Sequence, residues 1–467
     1  MSLQISAEST SFEADPQVIS TVISSLATEG YKPLLSEAKR QFFKALTGKD
    51  TPLTSSEAAD DVHKRLYRQA QLTGTANERS HVPLAGDVFV AEGSAALLYL
   101  LLYAQETTSG SDQTEPTRYL EAGCIGLDYV VTELQEFLVK LGIILKEAGV
   151  KASWGSVQNR NARFVAVSQN RGLGFESGDN MTDEEVKASE TLNDSRIREF
   201  ADTLKRAGQI WAVDVAKENS VFVSRLEEAK LLTKEYVVIC RQTLNHVNRV
   251  SRREGVQQMS QMGVLCSCGS PIDSEKVEEL LIASPLLKRM LDRNFWTSAK
   301  LIEALRRFGV PPDRSSFSIH DRVEEVDVLV DLDGKLLLID LQEDEFLTRD
   351  VYRFAARMGG YKPDYAFIVA TRGIAPGAKE QFNKIGTEGK IMFVTTFAEL
   401  LSELARVVDE IRTNRAKEIL GQFEVFGEIG VPLGNLFLDR IQVQAAGKSK
   451  LGPQPVTMQH AAARVLP

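Results

Sequence analysis

Apolar residues recur at three- and four-residue spacing in VISTVISSLA (18–27), AADDVHKRLYRQA (58–70) and LDYVVTELQEFLVKLGIILKEAG (127–149), a period that predicts amphipathic helices. Gly149 follows the last of these as a C-cap. AALLYLLLYA (95–104) is the longest apolar run, about half of the ~20 residues a membrane span needs, so it reads as a buried helix and no span is expected. The stretch 105–118 is polar and reads as a loop. Residues 151–172 alternate like a strand pair, and 176–195 are acidic and polar, which suggests a linker.

Beyond the linker, 195–208 and 220–240 predict helix, turn, helix and a short strand into Cys240, in the manner of a small winged-helix unit. From 274 onward the period switches repeatedly. Helices are predicted at 275–293, 297–309, 348–360, 377–386 and 397–413, with strands at 323–332, 335–342, 365–371 and 390–396. Such alternation implies one sheet covered by helices. The tail 442–467 lacks periodicity and reads as mobile.

The expected class is α+β and multidomain, because 467 residues exceed what one core of ~250–300 residues can serve. The divisions are a flexible N-terminus (1–15), a mainly helical domain with a polar linker (16–190), a helix-turn-helix-like and degenerate zinc-ribbon-like segment (191–273), an αβ domain with a central mixed sheet (274–415), and an extension with a tail (416–467). The helical N-terminal region is a candidate surface for a protein partner. A net charge of −9 excludes a chain that coats nucleic acid throughout, so any such contact must be a local patch. Four cysteines are too few for a disulfide framework, and the first sixteen residues lack a secretory pattern; the expected compartment is cytoplasmic.

Cys266-Ser-Cys268-Gly looks like one knuckle of a zinc ribbon, with Cys240 and His246 upstream in place of the second. These four would complete a tetrahedral Zn²⁺ sphere. Thr243 stands where the second thiol of the upstream knuckle belongs, so a metal-free ribbon held by packing is the competing reading.

Asp333-Gly334, flanked by alternating apolar runs, predicts a hairpin with a two-residue type I′ turn. That turn sets Leu329 opposite Leu338, Asp327 opposite Asp340 and Glu325 opposite Gln342, all on one face. Two facing aspartates repel each other, and either solvent or a divalent cation must offset the repulsion. The other face, carrying Val326, Val328, Val330, Leu337, Ile339 and Leu341, is apolar core.

The run EVDVLV, a short hairpin and then LLLIDLQ resembles the PD-(D/E)XK, restriction-endonuclease-like nuclease superfamily over roughly 276–409. The resemblance implies Asp327 and Asp340 as the two acids that hold Mg²⁺ or Mn²⁺, with Glu303 on the preceding helix as an additional acid; Glu325, on the same face of the hairpin, is a further candidate metal ligand. Gln342 takes the position of the family's Lys, and Asp340 that of the commoner Glu. Arg349, Arg353 and Arg357, spaced by four on the next helix, form a candidate phosphate-contacting stripe, with pairing to Asp350, Glu343 or Glu345, or plain solvation, as the competing reading. The implied activity is metal-dependent hydrolysis of nucleic acid, DNA before RNA, in a defence, restriction or repair setting. The alternative is a catalytically weakened nuclease fold that binds nucleic acid or acts as a scaffold, because Gln342 carries no charge.

Overall fold

The computed structural model describes residues 3–47, 81–105, 117–127, 130–157, 160–169, 174–215, 217–320, 325–342, 344–386, 389–423, 439 and 441. The helix expected at 58–70, most of the 105–118 loop and the 442–467 tail lie outside them. Two compact units emerge, residues 1–159 with 406–467, and residues 160–405.

The first unit is built on a sheet where helices were expected. Strands β1 (Gln4–Ser11), β2 (Tyr31–Pro33), β3 (His81–Ala91), β4 (Leu97–Gln105), β5 (Thr117–Gly126) and β6 (Gly155–Ser156) pair antiparallel in the order β2-β3-β4-β5-β1-β6. The supposed buried helix at 95–104 is mostly β4. Its Leu98, Leu100 and Leu102 pack with Ile19, Val22 and Leu26 of helix Val18–Thr28 and with Leu134, Phe137 and Leu141 of helix Val130–Glu147. Its Leu97, Tyr99 and Leu101 pack on the other side with Ala416, Ile419, Leu420 and Phe423. A strand covered on both faces loses its alternation, and an apolar run of that kind cannot be told from a buried helix by period. The expected flexible N-terminus is likewise β1, paired with β5 from Gln4↔Gly126 to Ser11↔Tyr119. Its backbone ladder, rather than an apolar pattern, holds it in place.

Residues 160–405 carry β7 (Gly174–Ser177), β8 (Gln209–Trp211), β9 (Leu232–Ile239), β10 (His246–Val250), β11 (Lys276–Ala283), β12 (Ser315–His320), β13 (Glu325–Leu332), β14 (Lys335–Gln342), β15 (Tyr365–Ala370) and β16 (Lys390–Val394). Helix Ala162–Gln169 replaces part of the expected strand pair, and the expected linker holds helix Asp183–Leu192. There the Thr182 hydroxyl accepts from the Glu185 amide at 3.2 Å while the Glu185 carboxylate accepts from the Thr182 amide at 2.8 Å. That capping box, with Ala188 and Leu192 buried beneath, makes an acidic segment helical. The helix expected over 275–293 is instead β11 followed by helix Pro285–Met290, the Ser284 hydroxyl accepting from the Leu287 amide and Pro285 opening the helix.

Two sheets result. One runs β10-β9-β11-β8, antiparallel throughout. The other runs β16-β15-β14-β13-β12-β7; it is antiparallel from β7 to β14 and parallel from β14 to β16. The mixed αβ sheet expected for the C-terminal half is therefore present, although β12 carries no clear alternating signal in SSFSIH.

Candidate functional site

The β13–β14 hairpin turns at Asp333-Gly334, whose φ values of +50° and +86° are both left-handed as a type I′ turn requires. Pairing runs from Leu332↔Lys335 to Val328↔Ile339 and includes Leu329↔Leu338, the expected register. Asp331, fully buried, braces the turn: its carboxylate accepts from the Gly334 amide at 3.1 Å and from the Asn161 amide at 3.0 Å. Burial raises its carboxyl above the ordinary value, against the pull of those amides and of Arg314.

Leu329, Leu336 and Leu338 lie in one core with Val351, Phe354 and Met358 of helix Thr348–Tyr361. Alternation continues this face into Asp340 and Gln342 at the carboxyl end of β14. Asp340 is only 4% exposed. Its Oδ1 accepts from Arg357 Nη1 at 2.5 Å, and its Oδ2 accepts from Gln342 Nε2 at 2.9 Å. The charge that the sequence leaves to solvent or a metal is thus met by a guanidinium from the next helix.

This corrects the basic stripe. Arg357 is buried against Asp340, and only Arg349 and Arg353 face outward. Arg349 lies 3.9 Å from Asp350 of its own helix. Spacing by four places residues on one helical face but drifts by ~40° per step, enough to turn the third arginine under the helix. Glu303 is also corrected: it pairs with Arg307 at 3.2 Å and Arg306 at 3.9 Å on helix Phe295–Arg307. Phe295 of that helix packs on Phe317, whose cross-strand partner is Val328, so the helix covers the face away from Asp340. Asp327 and Glu325 lie on β13, but their side chains and the pairing opposite Asp340 and Gln342 fall outside the described residues.

The cysteines form a second constellation. One donor atom each from Cys240, Cys266, Cys268 and Glu275 lie within 4.8 Å of one another. His246, expected as the fourth member, is outside it; its ring meets the edge of Trp211 with centroids 5.7 Å apart. Position 246 lies on β10 opposite Ile239, beyond the turn that follows Cys240, and is exposed. Glu275 takes the place instead, because Lys276↔Ile239 pairing sets it beside Cys240 at the ends of β11 and β9. No spacing rule points to a carboxylate seven residues past a cysteine pair, and only strand pairing reveals it. The Thr243 hydroxyl and amide hold the Cys240 thiol down to about 7. The Cys268 amide pulls Cys266 the same way, but burial and its Cys268, Cys240 and Glu275 neighbours push that thiol up to about 11. The Arg241 amide, donating to Glu275 at 2.7 Å, and the Cys268 thiol lower the Glu275 carboxyl.

No protein-family model matches the chain, and no curated protein does. Among solved structures, the chain is similar to protein VC1899 from Vibrio cholerae at 12% identity, over 59% of this chain and 64% of that one, with a TM-score of 0.29. The match spans less than two thirds of that protein's length, and a likeness of this size carries no argument about fold or activity.

Proposed function

We propose that the domain around the β13–β14 hairpin is a PD-(D/E)XK-like nuclease that hydrolyses nucleic-acid phosphodiester bonds with Mg²⁺ or Mn²⁺. The observation that carries the reading is the buried Asp340–Arg357–Gln342 set at the carboxyl end of β14. That strand is antiparallel to β13 and parallel to β15, and its carboxyl end carries both Asp340 and Gln342. Helix Phe295–Arg307, the β13–β14 hairpin, helix Thr348–Tyr361 and parallel β15 are the elements on which the resemblance rests.

Asp340, with Asp327 and Glu325 on the neighbouring strand, would hold the cation. A divalent ion bound there supplies an activated water and offsets charge on the phosphate. Gln342 is neutral, and Arg357 brings to Asp340 the positive charge that position 342 lacks. To admit a cation, Asp340 Oδ1 has to be released by Arg357, which then becomes free to meet a phosphate oxygen. Arg349 and Arg353 offer two exposed cations on the same helix.

A second reading has its own support. Both oxygens of Asp340 are engaged by protein, as a retired site held by a structural ion pair would be. A nuclease fold that binds nucleic acid or acts as a scaffold without turnover fits that arrangement.

Incubation of the full chain with single- and double-stranded DNA and RNA, with and without Mg²⁺ or Mn²⁺, separates the two. Metal-dependent cleavage is expected, abolished by chelation, lowered at least ~100-fold by Asp340→Ala and maintained or raised by Gln342→Lys. Binding without cleavage on all four substrates, indifferent to Asp340→Ala, would select the scaffold.

A further inference from the structure

We propose that Cys240, Cys266, Cys268 and Glu275 bind one Zn²⁺ as a closed structural site, independent of the nuclease reading. Donor chemistry selects the ion: three sulfurs and one carboxylate oxygen suit zinc, whereas Mg²⁺ and Ca²⁺ take oxygen donors. All four positions of a tetrahedron are filled from this chain, which leaves none open for substrate. With thiolate bonds of ~2.3 Å and a carboxylate bond of ~2.0 Å, tetrahedral donors stand roughly 3.5–3.8 Å apart, so the donors need to close from 4.8 Å by little more than ~1 Å. Binding displaces the thiol protons of the three cysteines to solvent, and the metal–sulfur bonds take their place.

The surroundings fit a metal staple. Cys240 follows β9 directly, Glu275 leads into β11, and Cys266 and Cys268 sit in a tight turn after helix Glu254–Gln261, closed by Cys266 N to Ser270 O at 2.8 Å and Gly269 N to Cys266 O at 2.8 Å. These three segments enclose a small core in which Val238, Val256 and Ile272 are buried and Val247, Val250, Met259 and Val277 are half-buried. A core of that size supplies little packing energy, and small modules of this kind gain order from a metal. Nearby Leu244, Met262 and Leu265 remain exposed, at 74%, 79% and 59%, so the hydrophobic effect does little to hold the turns that carry the cysteines. The Arg241 amide already points at Glu275 and would orient the ligating carboxylate, as outer-shell donors do.

The test measures metal in the full chain, purified without a metal-affinity tag and under reducing conditions. About one zinc per chain is expected by elemental analysis. After chelation, Co²⁺ added to the protein should give the ligand-field bands of tetrahedral thiolate coordination. Cys268→Ser and Glu275→Gln should each raise the zinc dissociation constant ~10-fold or more in competition with a chelating dye, while Glu275→His retains zinc and His246→Ala leaves its content unchanged. Retention by Glu275→His guards against a variant that merely misfolds. The proposal is overturned if the reduced chain neither holds zinc as isolated nor takes up Zn²⁺ or Co²⁺. It is overturned in its choice of ligand if His246→Ala loses the metal and Glu275→Gln keeps it.

Discussion

At Asp340 the sequence signals a problem and the structure supplies an answer that the sequence does not. The expected facing of Asp327 and Asp340 implies an electrostatic cost, legible from the pattern EVDVLV-turn-LLLIDLQ. That the offset comes from Arg357 depends on the rotation of helix Thr348–Tyr361, which spacing alone fixes only to within a few tens of degrees. Side-chain exposures of 9% for Arg357 and 5% for Asp340 make the pair sensitive to loss of one partner. Arg357→Met should destabilise the chain by roughly 3–5 kcal/mol, read as a lower denaturant midpoint, because it strands a buried carboxylate. Pairing it with Asp340→Leu should recover most of that loss, since both charges leave together. A single and a double variant of equal stability would show that the ion pair contributes little. The same two groups also link to the functional reading: millimolar Mg²⁺ should restore part of the Arg357→Met loss if Asp340 is a metal ligand.

Elements were legible where turn chemistry marks them or where one face of the chain is polar. The hairpin is the clearest case of the first, since Asp-Gly fixes one register although β14 is buried on both faces, and the helices at 18–28 and 130–147 are cases of the second. Elements were misread where both faces are covered and no turn residue fixes the register, as in β4, or where capping chemistry overrides composition, as at Thr182. Glu275 belongs to this scale as well, because strand pairing and no local motif brings it to Cys240. The turn itself makes a sharp prediction. Gly334 at φ +86° becomes strained by any Cβ, so Gly334→Ala should cost about 1–2 kcal/mol. Asp333→Asn should stay within roughly 0.5 kcal/mol, because asparagine tolerates the left-handed region as well as aspartate does. Chemical denaturation of both variants checks the pair, and equal costs at the two positions would speak against the type I′ turn.

At the scale of the whole molecule the sequence suggests consecutive domains, whereas residues 406–467 group with residues 1–159. Closure by a distant segment leaves no local mark: helix Phe397–Gly421 has an ordinary amphipathic pattern, and nothing in it names β4 as its partner. The consequence is nevertheless specific. Ala416, Ile419, Leu420 and Phe423 bury one face of the first sheet, against Val88, Leu97, Tyr99 and Leu101, with the Phe423 and Tyr99 rings edge-on at 6.2 Å. At ~1.5–3 kcal/mol for each fully buried large side chain, removing the three largest forfeits on the order of 5–9 kcal/mol, comparable to the entire stability of a typical domain. A chain ending at 405 should therefore expose that face, bind a hydrophobic dye and aggregate. Phe423→Ala in the full chain should cost about 3–5 kcal/mol by denaturant unfolding. Residues 160–405, which hold their own sheets and cores, should by contrast unfold cooperatively when expressed alone. A soluble chain ending at 405 with an unchanged melting temperature would contradict the grouping, because it would show that the first sheet is complete without the returning segment.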